Sequence, residues 1–286
     1  MATSPKRSSR DVVADINYFP ALGKPIEPSS WKRRFLGVSD EYTKAVTIRD
    51  VRGLEQNFEL DKNGFQFVQL PNKERSTEND ATIIREYYPE ITELVKNMTS
   101  ATTAHVFNHV LRQHSLPSEK GIPDARGRWQ DIPSGHPHVD YCGISSLIEG
   151  TKKEISLPPE IRTRYDTCSR FAYLGVWRPL KPLVKDPLTV ADATTVPDED
   201  YQLRARVFKS GVKSGNYVMS HAKEEQQHDW YWMSDMQPNE VVVFKGYDTE
   251  QNLPGWRCPH TAFVLPGTED LPPRESIEMR VVCFWD

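Results

Sequence analysis

Paired cysteines are missing from this chain. Its four cysteines, Cys142, Cys168, Cys258 and Cys283, are scattered with no CxxC spacing, so neither a zinc knuckle nor a disulfide scaffold is expected. Free thiols suit a reducing, cytoplasmic compartment. Net positive charge is missing too. The 286 residues carry a formal charge of -4, which provides no field for displacing the counterions of a nucleic acid. No apolar run approaches the length that crosses a bilayer, so no membrane partner is expected. The short basic start, Met1 to Arg10, has no apolar stretch behind it and reads as a solvated tail, not a secretory signal. There is no internal repeat and no low-complexity tract.

Proline is plentiful instead. Its 22 residues punctuate many short segments, as in a β-rich fold with long loops. From Asn57 to Leu70, alternating apolar residues flank Asp61-Lys62-Asn63-Gly64, the pattern of a hairpin or strand-turn-strand. Between Ala81 and Met98 the apolar residues fall on a helical stripe, which Pro89 should kink or restart. Ala104 to Arg112 is a short strand.

The second half reads as successive strands rich in aromatic and β-branched residues. They run over Phe171 to Trp177, Asn216 to Ser220, Trp230 to Met233, Glu240 to Phe244, Thr261 to Leu265 and Ile277 to Trp285. The expected fold is mainly β with flanking helices, a double-stranded β-helix or jelly roll with a cupin-like core. Residues 1–15 form the tail, and residues 16–286 a single jelly-roll domain with a helical N-terminal part.

One stretch carries metal-binding chemistry. In Gly135 to Cys142, His138 and Asp140 stand two apart, so on an extended strand both side chains reach one point. His260, at the head of a later strand, offers a second imidazole. Two neutral imidazoles and a carboxylate on one face of Fe(II) leave the opposite face open. Arg274-Glu275-Ser276 follows His260, and a guanidinium beside a hydroxyl suits the remote carboxylate of 2-oxoglutarate. Arg280 shares the parity of Ser276 and is a competing clamp or a structural ion pair. The bland reading stands beside this one: a loop hydrogen-bond pair, a satisfied core histidine and a solvated rim. His136-Pro137-His138 also offers an HxH pair, though the carboxylate just after it favours HxD. His136 then supports the site from behind or lies at the surface. His105 and His109, four apart, are expected on one face as packing or surface groups. His228 and Asp229 read as polar strand-end residues.

These segments together resemble the family of microbial secondary-metabolite oxygenases that includes the fungal gibberellin desaturase. That family also holds the cephamycin 7-methoxylation protein and the novofumigatonin endoperoxide-forming enzyme. The matching stretches are LDKNGFQFV, HVFNHVLR, HPHVDYC, VWRPLKPLVKDPLTVADA, HDWYWMSDMQPNEVVVFKGYD, CPHTAFVLPG and PPRESIEMRVVCFW. Two departures are the Cys258-Pro259 pair before His260, and Gly246 where the block often has a bulkier residue.

The resemblance implies a jelly-roll fold, with Fe(II), 2-oxoglutarate and dioxygen, and the ligand triad on His138, Asp140 and His260. It implies a natural-product substrate that is hydroxylated, desaturated, cyclised or endoperoxidised after C–H abstraction. Trp129, Tyr141, Trp177, Arg178 and Phe244 are candidate pocket residues, each with core packing or a structural ion pair as the competing role. Two other functions stay open: an iron oxidase using the triad without 2-oxoglutarate, and a weakly active subunit partnering a paralogous oxygenase. The expected partners are a small molecule and either a second copy or such a paralogue.

Overall fold

The computed structural model of the chain describes residues 10–24, 41–71, 76–113, 133–223 and 228–286. In chain order its main elements are β1 (Val12–Asn17), β2 (Thr43–Asp50), α1 (Leu60–Asn63), β3 (Phe65–Gln69), α2 (Asp80–Glu86), α3 (Tyr88–Thr99) and β4 (Thr103–Arg112). There follow β5 (His138–Val139), α4 (Ser145–Glu154), α5 (Pro159–Arg162), β6 (Arg170–Pro179), β7 (Leu188–Ala191), β8 (Tyr201–Val207) and β9 (Lys213–Met219). The chain closes with β10 (Trp230–Trp232), β11 (Glu240–Asp248), β12 (His260–Ala262) and β13 (Ser276–Trp285).

The strands form two sheets: eight strands in the order β1-β2-β10-β7-β12-β5-β9-β8, and five in the order β3-β11-β6-β13-β4. This is the jelly roll expected from the strand pattern.

All nine residues of β11 are buried, because both faces of its sheet are covered. Val241 and Val243 point outward with Ile277, Met279 and Val281 against Ile83, Tyr87, Ile91 and Val95 of α2 and α3. Val242 and Phe244 point inward with Phe65 and Trp177, against Val190 of the larger sheet and Cys258 just before β12. The helical stripe divides where Pro89 predicts. α2 ends at Glu86 with Tyr87 as its cap, and the proline sits in the first turn of α3, where its missing N–H costs no hydrogen bond.

Three expectations need correction. The tail does not reach residue 15, because Val12 to Asp15 already pair with β2 as part of β1. The Asn57 to Leu70 stretch is not a hairpin. Residues 60–63 form a single helical turn, closed by Asn63 accepting from the Glu59 amide at 3.0 Å, and Gly64 ends it at φ 85. The strand after it pairs with the remote β11, so a tertiary contact replaces the local strand partner. His105 and His109 are not on one face. The register of β4 against β13 shifts between Arg280 and Val281, so His105 opposes Val282 while His109 opposes Met279. The extra residue inverts the side-chain alternation between them. His109 therefore faces the helices, 3.0 Å from the Tyr88 hydroxyl.

Candidate metal centre

His138 and His260 are direct partners across the antiparallel pair β5–β12, with ring centroids 4.4 Å apart. Asp140, two residues past His138, returns to the same side. One ligand atom from each of the three side chains lies within 4.8 Å of the others, and no other such group of His, Cys, Asp and Glu occurs among the described residues.

Both imidazoles are oriented from behind. His138 Nδ1 meets the His136 carbonyl at 2.9 Å, and His260 Nδ1 meets the Cys258 carbonyl at 3.2 Å. An Nδ1–H donating to a carbonyl leaves Nε2 as the lone-pair donor, the tautomer a metal requires. Cys258-Pro259, conspicuous in the sequence, thus supplies the carbonyl that orients His260. The Phe244 ring backs His260 at 4.3 Å between centroids. It lies across Gly175, where a Cβ would come within 2.3 Å of the ring.

The electrostatics favour a bound cation. Burial, then the neighbouring His260, push the His138 imidazolium down to about 4. Burial would raise the Asp140 carboxyl, but Arg280, His260 and His138 outweigh it and hold that group well below the ordinary range. At neutral pH the pair is a neutral imidazole and a carboxylate, the state in which both ligate.

Arg280 faces this carboxylate. Its Nε and Nη2 donate to the two Asp140 oxygens at 3.2 and 3.3 Å, and its Nη2 lies 3.1 Å from Glu278 Oε1. Glu278, 3.6 Å from Arg112, is a buried acid that the sequence reading passed over. Its signal was present: it shares the strand parity of Ser276 and Arg280.

Arg274 and Ser276 are also buried inside the barrel. Arg274 Nη1 donates to the Asp186 carbonyl, while its Nε and the Ser276 hydroxyl have no hydrogen-bond partner. Burial and the nearby Arg112 push the Arg274 guanidinium down to about 9, against the opposing pull of Asp186 and Glu278.

The pocket candidates separate. Tyr141 follows Asp140 and packs on Tyr173 at 4.6 Å in the space left by Gly246, where a Cβ would sit 2.8 Å from its ring. Burial raises its phenol above the ordinary range. Trp177 and Phe244 face inward. Arg178 is on the other face of β6, 3.7 Å from Glu90 and 5.7 Å from the centre of the Tyr87 ring, away from the centre. Trp129 lies outside the described residues. His228 joins a buried cluster with Tyr18 and Asp200, at 3.1 Å from each. Asp229 pairs with Arg49 at 2.6 Å.

A family model described as an oxidoreductase/YMDC permease-like domain matches residues 18–284. The hydroxylase/desaturase efuI of Hormonema carpetanum is 30% identical over 254 residues, covering 85% of this chain and 84% of that protein. The alpha-ketoglutarate-dependent dioxygenase phiK, from a fungal species, is 30% identical over 247 residues, with the same two coverages. The chain belongs to this family of iron- and 2-oxoglutarate-dependent oxygenases. Within the family, a solved structure of the iron and alpha-ketoglutarate-dependent endoperoxidase NvfI superposes with a TM-score of 0.74 at 25% identity, covering 97% of this chain and 99% of that one. Among the described residues of this oxygenase, no helix is long and apolar enough to cross a membrane.

Proposed function

We propose that this oxygenase holds Fe(II) on His138, Asp140 and His260 and binds 2-oxoglutarate with its far carboxylate on Arg274 and Ser276. Its substrate is then a small natural-product intermediate, oxidised at a C–H bond by hydroxylation, desaturation, cyclisation or endoperoxidation. The observation that carries the reading is the pairing of two features in one barrel. A preoriented His-Asp-His set stands beside a buried guanidinium Nε and a buried hydroxyl that have no other partner. Both fit their ligands by donor chemistry. Two imidazole Nε2 atoms and a carboxylate suit Fe(II), and two hydrogen-bond donors suit a carboxylate.

When bound, the iron and its cosubstrate supply the oxidising power toward dioxygen and the C–H bond. The chain does the rest. The His136 and Cys258 carbonyls hold the imidazoles in one tautomer. Arg280 keeps the Asp140 carboxylate ionised. Phe244, Tyr141 and Trp177 make the inner wall apolar and limit water around the reacting centre. Arg280 serves Asp140, so Arg274 is the clamp in this reading. The four free cysteines support a cytoplasmic location.

The test is an anaerobic titration of metal-free protein with Fe(II) and then 2-oxoglutarate, followed in the visible spectrum. A weak charge-transfer band is expected, absent in His138→Ala and weakened in Arg274→Ala. Tight iron binding without a band would instead assign the site to an oxidase that does not use 2-oxoglutarate.

A further inference from the structure

Resting on the 2-oxoglutarate reading above, we propose that the Trp177 indole N–H is a third donor to the cosubstrate's far carboxylate, alongside Arg274 and Ser276. β6 and β13 are antiparallel neighbours in which Trp177 opposes Glu278 and Pro179 opposes Ser276. Directly opposed residues share a face, so the indole stands on the inward side with Glu278 and Ser276. The Arg274 guanidinium carbon lies 5.3 Å from the centre of the Trp177 ring.

Trp177 is 1% exposed, yet its Nε1 has no hydrogen-bond partner. Two other indole N–H groups in the molecule find partners. Trp230 Nε1 donates to the Tyr18 hydroxyl at 2.8 Å, and Trp285 Nε1 to the Thr99 carbonyl at 3.1 Å. Trp232 Nε1 is also unpartnered, but it belongs to a different cluster, edge-on to Phe263. What distinguishes Trp177 is its company: the Arg274 Nε and the Ser276 Oγ, both buried and both unpartnered.

These three groups are all donors, and buried donors are normally satisfied. A carboxylate has two oxygens, about four lone-pair sites and no hydrogen to offer, so it answers all three. The acid next to them, Glu278, forms no hydrogen bond with any of the three, and its own Oε1 is unpartnered. Glu278 is already 3.1 Å from Arg280 and 3.6 Å from Arg112. Arg274 is the one cation among the three donors.

Trp177→Phe keeps the ring and removes only the N–H. With Fe(II)-loaded protein under anaerobic conditions, its Kd for 2-oxoglutarate should rise about tenfold, the weight of one hydrogen bond to a charged group. Its Kd for Fe(II) should not change. Binding of 2-oxopentanoate, which has the same keto acid end without the far carboxylate, should be equal in wild type and variant. A merely structural tryptophan would weaken both ligands and the metal together. As a check independent of any variant's folding, the Trp177 indole N–H resonance of Zn(II)-loaded wild type should move downfield on adding 2-oxoglutarate and stay in place with 2-oxopentanoate. Equal 2-oxoglutarate affinities, or an unmoved resonance in protein that does bind 2-oxoglutarate, overturn the third donor and leave the functional reading standing. Wild type that binds iron and no 2-oxoglutarate overturns both.

Discussion

Arg280→Met tests how far Arg280 and a bound divalent cation do the same electrostatic work at the Asp140 carboxylate. Its guanidinium lies between the part-buried Asp140, at 3.2 and 3.3 Å, and the buried Glu278, at 3.1 Å. Two unit charges about 4 Å apart attract by about 4 kcal/mol at an effective dielectric of 20. Breaking a buried pair costs about 3–5 kcal/mol, because the remaining charge is left without compensation. The Arg280 side chain is 25% exposed, so water screens part of this, and about 2–3 kcal/mol is a reasonable expectation. At about 2–4 °C per kcal/mol for a chain of this size, melting in the presence of a chelator should fall by about 5–10 °C.

A divalent cation at the same carboxylate replaces most of what the arginine supplied, and it no longer meets a positive neighbour. The loss in Zn(II)-saturated protein should therefore be markedly smaller, and metal affinity by calorimetry should increase. An equal loss with and without metal would show that the Arg280–Asp140 pair is not coupled to the ligand set. A weaker metal affinity would show that orienting the carboxylate matters more than the charge, and would refute the reasoning.

Gly175→Ala places a Cβ 2.3 Å from the Phe244 ring, which backs His260 at 4.3 Å. Overpacking of this kind costs about 1–3 kcal/mol. We expect that loss in denaturant unfolding together with weaker metal binding, and an unchanged metal affinity would separate Phe244 from the centre. The pH dependence has a different source. Burial would raise the Asp200 carboxyl, but hydrogen bonds from His228, Ser220 and the Ala222 amide outweigh it and hold the group below its ordinary value of 3.8. A depressed carboxylate contributes stability above its unfolded pKa and loses it as pH falls through the folded value. Asp200→Asn should therefore be less stable than wild type at pH 7, with the gap in melting temperature closing below about pH 4. A gap that stays constant with pH would exclude the linkage.

Much of this protein is legible in local order. Period-two alternation is a property of an extended chain, so His138 and Asp140 share a side wherever the strand goes, and Ser276, Glu278 and Arg280 do the same on β13. Proline restricts its own backbone, so the restart before Pro89 needs no partner to predict it. The paired sheets follow from strands rich in β-branched and aromatic residues.

Tertiary structure decided what depends on neighbours distant in sequence. The stretch before Gly64 alternates like a strand but folds as a helical turn, and β3 finds its partner in the remote β11. A one-residue register shift, invisible to spacing, sends His105 and His109 to opposite faces. Arg178, at the end of an apolar strand, read equally as a structural ion pair or a carboxylate binder, and only the packing of α3 gives it Glu90 and the outer face. Arg274 and Arg280 could not be told apart from parity, because both point inward. Asp140 and Glu278 pair with the second, while the first is buried with an unpartnered Nε. The backbone's own geometry sets which side a residue faces, but its charge partner is set by strands brought together from across the chain.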